Sequence, residues 1–596
     1  MRRRNAEQLS LFGPRDPEPQ LPPGPCDTRD YTIGPQFRGR GEYADGLLDA
    51  YLFPRSSEIG GSAGLVPESH QCTWSATEKE ASRQRQFELW ASGWRPQTPP
   101  RPYNPEPAGA PARTYQEADA NGKLKPVVRP DLSYDPDVRA FDKILVQFSG
   151  GKDSVACLLY VIDLCCQAGL DPSARIEAWH QCVDGDPRPI RDQVGPDGER
   201  IPVPKRYLFD WPCTEDYVVK VCAALSIPLL FQWRDGGIMG GVFQKAGEPP
   251  YTVGWEEPED GQPLWTERAD SAPPSGYRVR CISGYRPSEG LPAGKPREHA
   301  RLRWPTIGKI NQGRWCSSYV KIEAFNRAFG NSPRFDGLRV LTVTGERAEE
   351  SSNRATYKAR EFDHKSGHGK KPRGKGRKKI PRYVEAWKPV LDWCEIEVWA
   401  LMARFGLRPH PAYELGYGRL SCALCIFSSK NQLETIRSAT PQGARVFGQF
   451  VKAEQMLGKL QAASPDSSWK PGDKAKALPT IKSESVKEGR KKIHLPVTLE
   501  QFVDTPEGKA RSGPGYAASI AGELQAAGVP DDVVSYHADR AMKGLPVAYP
   551  ASVTQPELGI AAWSEHLPPD WTPFDARWRE AGYLPAGAFG EDAGPE

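Results

Sequence analysis

One stretch constrains this chain more than any other: Lys143-Ile-Leu-Val-Gln-Phe-Ser-Gly-Gly-Lys-Asp-Ser154 and the apolar run after it. Ile144 to Phe148 reads as a short strand buried on both faces, as in a parallel sheet. Ser149-Gly150-Gly151 then forms a turn whose missing Cβ atoms let backbone N–H groups approach a ligand closely. Val155 to Leu164 is apolar almost all round and runs on to Gly169, which suits a core helix closed by a glycine cap. Strand, glycine turn and helix N-terminus together make an anion site, because unpaired N–H groups and the helix dipole both point at the turn. Lys152 adds a positive charge there, and Ser149 and Ser154 add hydroxyls. The string is not a Walker loop. That motif needs a glycine where Val146 stands and a Ser or Thr where Asp153 follows Lys152.

The rest of the chain sets bounds on what surrounds this unit. Its 596 residues allow two or more domains. The 38% hydrophobic content is low, and 59 prolines with 57 glycines imply much loop or extended arm. A net charge of +4 is small for the length, so nucleic-acid affinity would have to come from local clusters. Met1-Arg-Arg-Arg is followed by polar residues, so no signal peptide is expected, and no apolar run reaches the roughly 20 residues of a membrane helix. The expected compartment is a reducing cytoplasm. There the 13 cysteines read as packing residues, metal ligands or redox groups rather than a disulfide framework.

Three regions follow in order. Residues 1–131 read as a Pro/Gly-rich, partly ordered arm, with helices expected near Leu47–Leu52 and over Glu80–Trp94. Residues 132–435 hold the strand–loop–helix unit, further strands at 175–184, 227–233 and 338–344, and a helix over 216–225. This alternation predicts an α/β fold with a doubly wound, mostly parallel sheet and its ligand at the carboxyl ends of the strands. Residues 236–300 read as an insertion. Asp392-x-x-Glu395 resembles a capping box, with a helical core stripe of Ile396, Trp399, Met402 and Phe405 behind it. Residues 436–596 form a smaller C-terminal region, helical over 445–460 and with a lysine-rich linker at 465–492.

The loop string closely resembles the PP-loop of the ATP pyrophosphatase superfamily. Later blocks, in order, resemble its phosphoadenosine phosphosulfate (PAPS) reductase branch. They are Arg314-Trp-Cys-Ser-Ser-Tyr-Val-Lys321, Thr344-Gly-Glu-Arg-Ala-Glu-Glu-Ser351, Trp387-Lys-Pro-Val-Leu-Asp-Trp393, and Pro409 to Cys425 with its Cys422-Ala-Leu-Cys425. The resemblance implies a loop that holds the pyrophosphate of ATP through Ser149, Gly150, Gly151 and Ser154. Lys152 would neutralise the leaving group, and Asp153 would orient Mg²⁺. Arg347 and Arg354 would contact nucleotide or acceptor, with an ion-pair role as the even alternative. The branch reduces activated sulfate, adenylates sulfate, or inserts sulfur into nucleic acid. An intact loop and the lack of a Glu-Cys-Gly string after Cys425 favour an ATP-dependent adenylyl or sulfur transferase. A sulfonucleotide reductase, or a nucleotide-binding subunit of a defence or modification complex, is the alternative.

Cys422-x-x-Cys425 has the spacing that lets two thiolates reach one metal. With the upstream Cys316, the resemblance implies a 4Fe–4S cluster, with structural zinc or no metal as the alternatives. Ser317 stands where related reductases carry a second cysteine, so Cys394 or Cys281 would supply the fourth ligand. Cys157, Cys165, Cys166 and Cys222 lie on apolar helices and read as packing residues. His364 to Arg382 carries nine Lys or Arg and no acidic residue. It is either a solvated loop or a backbone clamp for DNA or RNA. A sulfur donor protein is the other partner implied, and none in a membrane.

Overall fold

In a computed structural model of the chain, the described residues run from 76 to 590. Within that span 97, 119–123, 188–189, 195–199, 204–208, 249–250, 260–276, 284–295, 308–312, 364–381, 421, 489–490, 507–511, 527, 549–560, 565–566, 576–577 and 579–583 are not described. The helix expected at Leu47–Leu52 and nearly all of the basic segment therefore lie outside the described residues.

One sheet of eight strands carries the fold. In chain order they are β1 Lys143–Gln147, β2 Ile176–Cys182, β3 Leu229–Arg234, β4 Thr252–Pro258, β5 Tyr277–Ser283, β6 Arg339–Val343, β7 Arg360–Phe362 and β8 Tyr383–Trp387. Their spatial order is β7-β8-β6-β1-β2-β3-β4-β5. The ladder β8-β6-β1-β2-β3 is parallel throughout, and β7, β4 and β5 add antiparallel edges. The helices used below are α1 Ala76–Ala91, α2 Lys152–Gln167, α3 Thr214–Ala224, α4 Glu323–Asn331, α5 Glu395–Phe405, α6 Lys430–Ala439 and α7 Pro441–Ala463.

The alternation of side chains along the strands explains the layering. Ile144, Val146, Ala178, Phe231, Leu341 and Val343 join α2 and α5 in the larger core, whereas Leu145, Trp179, Leu230, Val340 and Val384 join Phe325 and Phe329 of α4 in a second. Both faces of the parallel ladder are thus covered, as such a ladder requires. The chain steps from β1 to β2 and β3 on one side, then returns to β6 and β8 on the other. This reversal between β1 and β6 is where α/β sheets leave a crevice.

The structure departs from the expectations in three places. Part of the 236–300 stretch is not an insertion but the outer edge of the sheet, since β4 pairs with β3 and β5, Val253 is buried and Trp255 packs into the second core. The helix α5 is capped two residues later than Asp392: Cys394 is the N-cap and Glu397 closes the capping box. The lysine-rich stretch at 465–492 contributes Trp469 and Ile481 to the main core, together with Phe450 and Leu457 of α7 and Trp563, Trp571 and Trp578 further on. No described helix is long and apolar enough to cross a membrane.

Candidate functional site

The loop 149–151 leaves β1 at the reversal. Gly150 sits at φ +80°, and a Cβ there would press 3.1 Å from Val218 and 3.2 Å from Tyr217 of α3. The loop is therefore built for glycine by both backbone conformation and packing. Gly151 is the N-cap of α2 and offers no side-chain cap, so the first N–H groups of the helix are not satisfied by its own cap residue. Gly345, after β6, comes so close that a Cβ would stand 2.7 Å from the Asp153 carbonyl carbon. The segments after β1 and β6 thus touch backbone to backbone.

Above them opens a cavity of about 870 Å³. Its walls come from the ends of the parallel strands and their following loops: Gln147 and Gln181, Thr342 and Thr344, Ser149, Gly151 and Ser154, and Tyr413 with Arg419 and Leu420. The Gln181 amide bridges the Gln147 and Gln232 side-chain oxygens at 2.8 and 2.7 Å, tying β1, β2 and β3 at this end. Lys321, Arg354, Lys358, Lys388 and Arg419 bring positive charge to the walls, and Asp153, Glu346, Glu350, Glu361 and Asp363 negative charge.

The expected site residues divide into two groups. Ser149, Gly151, Asp153, Ser154 and Arg354 line the cavity. Lys152 does not. It is 1% exposed, and its ammonium donates to the Gly418 carbonyl at 2.6 Å and lies 3.6 Å from Glu395. The rings of Tyr413 and Trp399 stand 5.6 and 6.0 Å away. Its backbone N–H donates to the Tyr413 hydroxyl at 2.9 Å, which takes one helix-terminal donor out of the anion site. The physical reason is competition: a carboxylate, a carbonyl and two π faces under the helix hold the charge that a phosphate would otherwise draw upward.

Arg347 is likewise 1% exposed, and pairs with Asp153 and Glu349, each at 2.5 Å. It takes the ion-pair role. Burial pushes the Asp153 carboxyl up, but Arg347 and Lys152 outweigh this and hold it below its ordinary value. Arg354 bonds to Glu350 and faces the cavity. Burial and the nearby Arg419 charge lower its pKa.

Cys316 opens a π-helical turn, Ser317–Ile322, that leads into α4 and places Lys321 on the cavity wall. Burial raises the Cys316 and Cys422 thiols. Cys425 reinforces the shift in both, and Lys321 opposes it. These three thiols are therefore electrostatic neighbours beside one end of the cavity. Cys394 is not with them. It caps α5 against Glu397, near Glu349 and Arg347. The side chain of Cys281, on β5, lies outside the described residues. Among the described residues, no three Cys, His, Asp or Glu side chains converge on one metal position. Among the described residues the thiols do not complete a four-thiolate cluster, and no chemical step is derived through one. Cys157, Cys165 and Cys222 are buried packing residues, as expected. Arg382, the described end of the basic segment, is buried against Asp336 and the carbonyls of Phe329 and Ser332.

Lys321, Arg419 and the glutamine bridge are site features that the sequence reading missed. The signal for Gln147 and Gln181 was present: amides in otherwise apolar strands. Arg419 had none, because a single arginine in a glycine turn resembles any solvated one.

Comparison with known proteins adds a likeness over part of the chain. Residues 276–427 match the phosphoadenosine phosphosulfate reductase domain, a stretch that begins after the loop at 149–154. A 103-residue stretch is 30% identical to an uncharacterized 37.8 kDa protein of Escherichia phage 186, covering 17% of this chain and 27% of that protein. A 110-residue stretch is 31% identical to an adenosine 5′-phosphosulfate reductase of Allochromatium vinosum, over 18% of this chain and 34% of that one. The reductase of the same name from Burkholderia cepacia is 28% identical over 110 residues, 18% and 35% of the two chains. The chain thus spans about a third or less of the curated relatives it matches. No solved structure matches it significantly. Residues 276–427, behind the loop at the reversal of a doubly wound sheet, are thus similar to the phosphoadenosine phosphosulfate reductase domain, and the fold is consistent with that superfamily.

Proposed function

We propose that this protein is an ATP-dependent adenylyl or sulfur transferase, with nucleic acid as the acceptor class. The observation that carries the reading is the unaltered string Ser-Gly-Gly-Lys-Asp-Ser at the mouth of a cation-bearing cavity of about 870 Å³. That volume suits a nucleotide with room for part of an acceptor. The loop N–H groups, Ser149 and Ser154 bind the pyrophosphate end of ATP, and Thr344 and Gly345 face it from β6. In the adenylyl step an acceptor oxygen attacks the α-phosphorus, the bond to the bridging oxygen breaks, and pyrophosphate leaves with the electron pair. Positive charge fixed beside the leaving group stabilises it as charge develops there. Asp153, which lines the cavity while paired with Arg347, would hold Mg²⁺, and the ion would supply charge neutralisation on the phosphates. Cys316 and Cys422 lie near Lys321 with Cys425 as their neighbour, and there sulfur from a donor protein would meet the activated acceptor and displace AMP.

Asp363, on the cavity wall, directly precedes the basic segment 364–381, which supports a polyanionic acceptor. The test is anaerobic incubation with ATP, Mg²⁺ and DNA or RNA, read by mass spectrometry. AMP, pyrophosphate and an adenylated or sulfurated product are expected, and acceptor binding should weaken steeply with salt. The absence of ATP turnover with every acceptor sinks the reading. A second reading, reduction of a sulfonucleotide, is favoured by the two relatives that carry the name adenosine 5′-phosphosulfate reductase. Release of sulfite from that substrate with a dithiol reductant, without ATP, would establish it instead.

A further inference from the structure

The burial of Lys152 leaves the anionic end of the cavity without its expected cation. Arg419 stands in that place. It lines the cavity with Arg354, Ser149 and Gly151, and among the described residues it forms no ion pair or hydrogen bond. The Arg354 guanidinium is half-buried, and its desolvation together with the charge of Arg419 lowers its pKa. Two guanidinium groups lining one cavity beside a glycine turn and the Ser149 and Ser154 hydroxyls are what an oxyanion stabilises.

The turn that presents Arg419 is gripped from both sides. On the loop side, the Tyr413 hydroxyl accepts from Leu420 N–H at 3.2 Å and from Lys152 N–H at 2.9 Å, and Gly418 carries the Lys152 ammonium on its carbonyl. On the other side lies the last described segment of the chain. Gly587 N–H donates to the Tyr413 carbonyl at 2.7 Å, and Phe589 N–H to Glu395 at 3.2 Å. A Cβ on Gly587 would lie 2.1 Å from the Tyr417 carbonyl oxygen, and one on Gly418 would lie 3.1 Å from that of Gly590. No side chain fits at Gly587 without a shift of the backbone, and Gly418 is tightly enclosed. We propose that Arg419, facing Arg354, is the principal cation of the phosphate subsite, and that residues 587–590 are a positioning element that holds its turn against the loop. This rests on the reading of the cavity as a nucleotide site.

Titration of the full chain with ATP, inorganic pyrophosphate and adenosine tests it. Arg419→Ala should weaken ATP and pyrophosphate by about 10- to 100-fold, the loss of one or two charge-assisted contacts. Adenosine should bind as to the parent, and Arg419→Lys should recover part of the loss. Gly587→Val should reproduce the ATP defect with Arg419 still present. Should that variant not fold, Gly590→Ala, whose Cβ would stand 3.1 Å from the Gly587 carbonyl oxygen, gives the milder perturbation. Unchanged ATP affinity in Arg419→Ala overturns the subsite. Unchanged affinity in a folded 587 or 590 variant overturns the positioning role. A parent that binds neither ATP nor pyrophosphate overturns the nucleotide reading of the cavity as well.

Discussion

Lys152 and Glu395 form a charge pair with both side chains at most 3% exposed, so the energetics of the site turn on what happens when one partner goes. Glu395 also accepts from Trp399 Nε1 at 3.0 Å and from Phe589 N–H. Lys152→Met should therefore destabilise the whole protein by about 3–5 kcal/mol, because it leaves a buried carboxylate uncompensated. The double variant Lys152→Met/Glu395→Gln should regain part of that loss in denaturant titrations. An unaltered midpoint in the single variant would show that the pair contributes nothing. The sequence made Lys152 visible as a loop residue but could not show which way its side chain runs. That direction depends on Gly418 and Glu395, more than 240 residues away in the chain. Asp153 and Arg347 illustrate the same limit. Their residue types suggested metal and nucleotide contacts, and only their proximity shows that they hold each other.

Among the elements, strands and helices near the loop were legible because a buried parallel strand and an apolar helix leave unmistakable runs. The antiparallel edge β4–β5 was not, since its Gly, Pro and charged surroundings imitate an insertion. The contact between Gly345 and the first turn of α2 makes a sharp prediction. Gly345→Ala places a methyl 2.7–2.8 Å from Asp153 and Ser154 backbone atoms, so the loop must shift. Expected are a loss of about 1–3 kcal/mol in stability and a larger loss in ATP affinity. Calorimetry and binding measured side by side will distinguish this from a simple packing defect. The short helix Pro411–Glu414 makes another. His410 caps it by accepting from Ala412 N–H at 3.1 Å, and burial pushes its pKa down from 6.5 to about 3. A base whose folded pKa is depressed contributes its stability in full above the unfolded value and loses it as pH falls toward the folded one. His410→Asn, neutral throughout, should lose less stability than the parent between about pH 6.5 and pH 4, as thermal melts will report. Parallel pH profiles would remove His410 from the acid response.

For the whole molecule, the sequence suggested an arm, a domain and a separate C-terminal region, because composition changes along the chain. Composition does not report packing. Trp90 and Tyr103 ahead of the domain, and Phe447, Phe450, Trp563, Trp571 and Trp578 behind it, share one core with α2 and α5. Gln86 of α1 donates to Glu349 and accepts from Ile396 N–H at the start of α5. A piece limited to residues 132–435 should accordingly show no cooperative thermal transition, whereas the full chain should show one. A sharp transition in the piece would restore the independent domain. Contacts of such long sequence separation also order events in time, since loop closure must precede the contacts that reward it. Gly587 and Phe589 leave the ribosome more than 430 residues after the loop they support. During synthesis the site therefore stays incomplete until residues 587–590 have been made, and a chain stopped just before them has every other part of the pocket but cannot close it.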